Sequence, residues 1–230
     1  MTDSAAPATT IDHDDDDRDP VSFGLALAAA IVLGIAAILT AWGSFQASRA
    51  GGDVQQNYAE QQASIATAND IYAQSDQASQ LEQQLFLSFA IALSEENDIA
   101  TDYLLNQAMG PELTAAVNWW IDEPEETSPP TPFVEDNPEY ANLPSQQLIT
   151  EGNATMDQAD AARVAAEEAN KIGDRFGLAN VFFAIVLFLA GIATLLQKTR
   201  IQIGILVLGV AMLVVGAVII VSTPGWSTIG

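Results

Sequence analysis

The chain has no cysteine, a single histidine (His13), and seven basic residues against thirty acidic ones. Without thiols there are no disulfides, no thiolate nucleophiles and no cysteine-ligated zinc or iron–sulfur centres. A catalytic dyad or triad needs a base held in place by its neighbours. His13 lies in a polar, aspartate-rich segment and reads as a solvated residue. A formal net charge of −23 argues against nucleic acid, because phosphate binding needs a basic patch. It likewise disfavours attraction of the polar part of the chain to an anionic lipid surface. The acid excess fits solubility by self-repulsion, or the acidic surfaces of a saline or actinobacterial-type proteome, ahead of a dedicated cation site.

Charge is missing altogether from three stretches, Phe23–Trp42, Leu178–Leu196 and Ile203–Val221, which contain no Asp, Glu, Lys, Arg or His. Each is about 20 residues, the length an α-helix needs to cross roughly 30 Å of hydrocarbon. All thirty acidic residues lie before the first run or between the first and second. The fold class expected is all-α: an integral membrane protein with three transmembrane helices and an acidic helical hairpin or bundle inserted between spans one and two. The small-x-small triplet Ser48-Arg49-Ala50 resembles a signal-peptidase site. However, the preceding segment is acidic and the run exceeds 7–15 residues, so it reads as a retained anchor.

The expected organisation is a disordered acidic tail at 1–20, a first span at 21–45, an acidic helical domain at 46–177 with a Pro-rich loop at 122–144, a second span at 178–197, a basic hairpin at 198–202, a third span at 203–222 and a short tail at 223–230. Past Trp42, the 4-3-4-3-4 spacing of Val54, Tyr58, Gln61, Ile65, Ala68 and Tyr72 predicts the seam of a helix lying along another, extended by Leu81, Leu85 and Phe89. Gly51-Gly52 is expected to loosen the junction with span one. Leu85–Leu93 is too short to span and is expected to be core, with a lipid-touching segment as the alternative. Shorter helices follow at Asp98–Met109 and about Pro111–Ile121. Residues 122–144 carry six prolines and seven acidic residues, so they form an extended loop. A second long helix from Pro144 runs into span two, with its seam at Leu148, Met156, Ala159, Ala162, Ala166, Ala169, Gly173 and Phe176.

No residue set specifies a reaction: there is no catalytic, cofactor-binding or metal-binding residue to name, and no cofactor is expected. The carboxylate pairs Glu95/Glu96, Glu125/Glu126 and Glu167/Glu168 lie in polar surroundings and mark solvated faces, not a buried acid of raised pKa. Neither Asp12–Asp19 nor Glu135–Glu139 has the ligand order of an EF-hand. Spans without ionisable groups also argue against ion or proton transport. Small residues four apart in span one (Gly24/Ala28, Ala26/Ala30, Ala30/Gly34) suit close helix approach, expected against the other two spans in preference to a second copy. Trp119, Trp120, Phe133 and Tyr140 form the candidate interaction surface, since such aromatics are enriched at binding hot spots. The plainer roles are that the two tryptophans fill the core and Phe133 pins the loop onto it.

Three short pieces resemble a group of uncharacterised prokaryotic membrane proteins built from one span, a helical insert and two further spans. They are Ala41-Trp42-Gly43-Ser44-Phe45-Gln46-Ala47-Ser48, then Pro129-Pro130-Thr131-Pro132-Phe133 with Pro138-Glu139-Tyr140, and Val186-Leu187-Phe188-Leu189-Ala190-Gly191. The resemblance implies the three-span layout and no particular activity.

The function expected is that of a non-enzymatic scaffold or accessory subunit in the cell membrane, with the lipid bilayer and a protein partner or a second copy as its contacts. A membrane-anchored sensor or ligand-binding module is the alternative; an enzyme or a transporter component follows behind. Basic residues near the span ends tie, with Arg18, Lys198 and Arg200 on one side and Arg49, Lys171 and Arg175 on the other. Long loops translocate largely regardless of charge, and the hairpin has no acidic neighbours. The tail and hairpin are therefore expected in the cytoplasm and the acidic domain outside. With no native thiol, single cysteines report sidedness directly. Ser128→Cys should react with an impermeant maleimide on intact cells and Thr199→Cys should not; the reverse pattern inverts the topology.

Overall fold

The computed structural model describes residues 20–124, 129–196 and 198–224, with side chains from Phe23 onward. The tail expected to be disordered, with His13, and most of the C-terminal tail lie outside the described residues. Every regular element among the described residues is helical. In chain order they are α1 (Pro20–Ser94), α2 (Asp98–Tyr103), α3 (Pro111–Asp122), α4 (Pro144–Leu195) and α5 (Thr199–Val221). A π-helical turn at Leu104–Ala108 follows α2, and a 3-10 turn at Tyr140–Asn142 precedes α4.

Three helices, α1, α4 and α5, contain stretches long and apolar enough to cross a membrane. The side chains on those stretches suggest the same solvent. Ile38 is 71% exposed and Phe188 67%, a surface that water would not tolerate over several turns and that hydrocarbon accepts. Gly51 and Gly52 do not interrupt α1, whose helix is continuous through both. The described residues fall into two compact units, one with α1 to Gly51, α4 from Lys171 and α5, the other from Gly52 to Asn170.

In the first unit, small side chains recur every seven residues on α1, with Ala29, Ala36, Gly43 and Ala50 buried. On α4 the buried positions are Phe176, Ala179, Phe183, Val186, Ala190 and Ala193; on α5 they are Gln202, Gly209, Gly216 and Ile220. Such 3-4 and 7-residue spacings hold one helix face against its neighbours. Trp42 meets Phe176 edge-on with ring centroids 5.5 Å apart. Gly216 is where α5 passes the Phe183 ring: a Cβ there would lie 2.6 Å from Phe183 Cε1. The small-residue pairs expected to mediate this packing do not. Gly24, Ala26 and Ala30 are exposed, and nothing approaches Gly24 or Gly34 within 4 Å. The inward row is offset, at Ala29 and Ala36, because seven-residue spacing and not four-residue spacing follows the helix crossing.

In the second unit, α1 and α4 run antiparallel. Tyr72 Oη donates to Asn153 Oδ1 at 2.8 Å, and Ser75 Oγ, one turn further along α1, donates to the carbonyl of Ser145, two turns earlier on α4 (2.9 Å). The buried row on α4 includes Gly152, Ala159, Ala162, Ala166 and Ala169, with Leu148 and Met156 half-buried. That matches the expected seam. The α1 row is Ala68, Ile71, Ser75, Glu82, Phe86 and Phe89, whereas Tyr58 and Leu81 point to solvent. Of the expected seam, Ala68 and Phe89 are buried and Val54, Gln61, Ile65, Tyr72 and Leu85 half-buried, whereas Ile71, Ser75, Glu82 and Phe86 join it unforeseen. The reason is steric: close approach of two backbones selects small or bonded side chains over large apolar ones.

The end of α1 lacks the glycine that usually stops a helix. Glu96 takes the left-handed conformation (φ 53°). Its N–H donates to the Leu93 carbonyl (3.2 Å) and the Asn97 N–H to the Ala92 carbonyl (3.0 Å), the paired bonds of a Schellman stop. Asn97 Oδ1 then caps α2 by accepting from the Ala100 N–H. The helix expected at 98–109 divides at Leu104, where the π turn bonds the Met109 N–H to the Leu104 carbonyl. The Leu105 carbonyl within the π turn accepts the Thr114 hydroxyl from α3 at 2.9 Å. A left-handed residue with a Cβ carries strain that glycine avoids. Glu96→Gly should therefore stabilise this helix end by up to about 1 kcal/mol, read as slower amide exchange at Asn97 with the α5 amides as internal reference.

Candidate interaction surface

The core of the second unit is a cluster of Phe86, Phe89, Met109, Leu113, Ala116, Val117 and Leu143. It is built from the end of α1, the π turn, α3 and the residue before α4. Of the four aromatic residues singled out from the sequence, Trp120, Phe133 and Tyr140 pack against this cluster as half-buried side chains. Trp119 is half-buried beside it and is not part of the cluster. Three of the four thus contact the core cluster directly. Phe86 sits at the centre, edge-on to Trp120 at 5.2 Å and to Phe133 at 5.6 Å, geometries that satisfy the ring quadrupoles.

The loop is tied down by two donors. Trp120 Nε1 donates to the Pro129 carbonyl at 2.7 Å. Asn137, 2% exposed, donates through Nδ2 to the carbonyls of Pro132 (2.7 Å) and Ala116 (3.2 Å) and accepts the Glu139 N–H at Oδ1. An amide with all of these bonds made replaces the ladder that a loop lacks. These contacts explain how residues 129–143, with four prolines, hold one conformation: proline limits their freedom beforehand, and one asparagine closes the loop.

The same end of the unit carries its one buried carboxylate among the described residues. Glu82, 6% exposed, lies on α1 facing the first turn of α4. Its Oε2 accepts the Ser145 hydroxyl at 2.6 Å and its Oε1 the Ser145 N–H at 3.0 Å. The first N–H groups of a helix have no partner within it, and a carboxylate placed there also meets the positive end of the dipole. Pro144, which has no N–H to satisfy, is the helix's first residue. Glu82 is thus a cap supplied from another helix, and both of its oxygens are engaged. The sequence signal was present: Gln61, Ala68, Ser75, Glu82 and Phe89 are spaced by seven, so a charge at that position had to be bonded.

What the fold leaves uncovered here is apolar. Leu87 is 60% exposed, Leu81 58% and Ile91 49%, all on the outer face of α1. Leu85–Leu93 is therefore core on one side only, through Phe86, Phe89 and Ala92. Beside that face is an open groove of about 560 Å³ lined by Gln83, Phe86, Leu87 and Ala90 of α1, by Trp120, and by Pro130, Thr131 and Phe133 of the loop. Only Gln83 and Thr131 bring polar side chains to it.

Chemistry is sparse elsewhere. No group of three or more His, Asp or Glu among the described residues converges to hold a metal ion. Arg163 on α4 pairs with Glu167 at 2.6 Å and Asp160 at 3.5 Å. The Glu167 hydrogen bond and charge, then those of Asp160, raise its guanidinium above the ordinary value, a solvated surface pairing. In the first unit, Asn180 Nδ2 donates to Ser44 Oγ at 3.1 Å, and a Cβ added at Gly43 would overlap the Asn180 amide oxygen. Asn180 sits inside the second apolar run. Counting ionisable groups does not detect it, although a polar side chain in a span can bond across helices just as well.

Residues 134–222, from the loop through α4 and α5, match a family model described as Domain of unknown function (DUF4337). No curated protein and no solved structure matches the chain. The matched region contains Asn137, Ser145 and Asn180, while Glu82 and Ser44 lie outside it on α1.

Removing the cap tests the construction of this surface. Glu82→Ala leaves the Ser145 N–H and hydroxyl buried without acceptors and should cost about 2–3 kcal/mol. Glu82→Gln keeps one acceptor and should cost less. Amide exchange over the first turns of α4 and the loop should rise in that order; equal exchange in both variants would rule out a capping role for Glu82.

Proposed function

We propose that the chain is a non-enzymatic scaffold or accessory subunit held in the membrane by its three apolar segments, and that it acts through protein contact at the uncovered end of the second unit. The observation that carries this reading is the face of Leu81, Leu87 and Ile91 beside the Phe86–Trp120–Phe133 groove. Exposed apolar side chains beside a groove on a solvated unit mark an interaction site. Here it is framed by aromatic side chains already fixed by packing, so little side-chain freedom is lost when a partner binds. The acidic surroundings, with Asp122, Glu123, Glu135 and Asp136 in neighbouring segments, favour a partner with basic residues around an apolar centre.

Two features support this over an enzyme. The buried carboxylate Glu82 has both oxygens committed to Ser145, leaving no free acid or base. Among the described residues, no three acidic side chains converge as a metal centre would need. The groove volume lies within the range of small-molecule sites, which keeps a ligand-binding module as the second reading. Gln83 and Thr131 are the polar side chains the groove offers to orient a small ligand, so a protein side chain is the better occupant. The sidedness expected above, with the acidic unit outside, belongs to this proposal.

A photo-crosslinking residue at Leu87 in intact membranes should yield a discrete adduct heavier than the monomer. Ile91→Asp should abolish it, and the same probe at exposed Gln158 should give none. A labelled lipid as the sole product at Leu87, or no adduct at all, contradicts protein docking there; an adduct of twice the monomer mass identifies the partner as a second copy.

A further inference from the structure

The basic residues are few enough that the position of each matters. Among the described residues, Arg163 is spent on its own helix; the other five lie within a few residues of the ends of the apolar runs. Lys171 and Arg175 are four apart on α4, so they share one face. Arg175 Nη1 donates to the carbonyl of Ser222 at 3.3 Å. That carbonyl is at the last turn of α5, the negative end of its dipole. Arg175 therefore stands where α5 leaves the apolar layer, with most of its five donors unspent. Both side chains are exposed, and among the described residues neither is held in an ion pair.

Directly below that point runs a second groove of about 390 Å³, lined by Val214, Ala217, Val218, Val221 and Ser222. It is almost wholly apolar and follows α5 for seven residues, about 10 Å at 1.5 Å per residue. It ends at Ser222, the residue whose carbonyl Arg175 holds. An apolar channel along a helix that ends at the residue Arg175 holds, with Lys171 one turn away from Arg175 on α4, has the layout of one molecule class: a chain of hydrocarbon with an anionic head.

We propose that this site binds an anionic glycerophospholipid. One acyl chain lies in the Val214–Val221 groove, and the headgroup phosphate sits on Arg175 and Lys171. Arg175 keeps its bond to Ser222 and offers its outward N–H groups to phosphate oxygens in the forked geometry that suits them. Lys171, one turn away, adds a point charge. Both long side chains place their stems against the apolar boundary and their charges at headgroup level. The lipid also covers α5 surface that no other described residue covers. The site is separate from the proposed docking face and does not depend on it.

Native mass spectrometry of the full chain in detergent, titrated with phosphatidylglycerol or with phosphatidylcholine of the same acyl chains, tests this. The wild type should retain phosphatidylglycerol preferentially. Lys171→Gln leaves the Arg175–Ser222 bond intact and should weaken that retention about fivefold. Arg175→Gln should weaken it at least as much, and Arg175→Lys less. Ala217→Phe, which fills the groove, should weaken both lipids. Lys198→Gln with Arg200→Gln, at the other end of the apolar runs, should leave retention unchanged. Equal retention of the two lipids by the wild type overturns the proposal, as does retention unaffected by Lys171→Gln or weakened equally by the Lys198/Arg200 variant. Effective competition by soluble glycerol phosphate would also overturn it, because the acyl groove would then contribute nothing.

Discussion

Close approach of helix backbones along rows of small side chains is the constraint on which both units rest. Alanine or glycine at seven-residue intervals removes the bulk that would hold two helices apart, and each larger group must then be placed individually. Gly216 makes room for the Phe183 ring, Gly152 for Tyr72, and Gly43 for the Asn180 amide. Several polar groups on these rows bond across helices. Ser75 and Glu82 both reach Ser145, and Asn180 reaches Ser44. In low-dielectric surroundings an unbonded polar group is costly, so these pairs fix the helix register as well as adding stability.

The two units use the same seam but expose opposite surfaces. In the first, the outward face is apolar nearly everywhere, as a hydrocarbon solvent requires. In the second it is acidic and amide-rich, as water allows, except at Leu81, Leu87 and Ile91. An apolar face is ordinary where lipid covers it and informative where water does. The proposed docking surface and the proposed lipid site are two consequences of that one distinction. Each is an apolar area next to groups that select what covers it: fixed aromatics in one case, two cations in the other.

Fold class was largely legible in the sequence, because an uncharged apolar run of about 20 residues matches the thickness of a bilayer core and is costly to leave in water. The uninterrupted passage of α4 from Pro144 into its apolar segment was legible too, from alanine spacing. The α1 seam is legible at Ala68 and Phe89 but not at Ser75 and Glu82, whose polarity hides their close packing, while Tyr58 and Leu81 are apolar in sequence yet exposed. The stop after Ser94 could not be read, because its left-handed residue is a glutamate. The π turn had no signal that separates it from ordinary helix. Of the candidate surface, Trp120, Phe133 and Tyr140 were found as residues but belong mostly to the core. Leu87 and Ile91, which carry the exposed face, were hidden within a segment that is apolar on every side.

On this reading the exposed apolar side chains of the two units meet different surroundings. Spin labels at Phe188 and at Ile91, with the full chain in bilayers, test it in one relaxation measurement against oxygen and a water-soluble nickel chelate. The Phe188 label should be relaxed by oxygen and shielded from nickel, and the Ile91 label relaxed strongly by nickel. An Ile91 label with the hydrocarbon signature of Phe188 would contradict it, because the face assigned to a protein partner would then be lying in lipid.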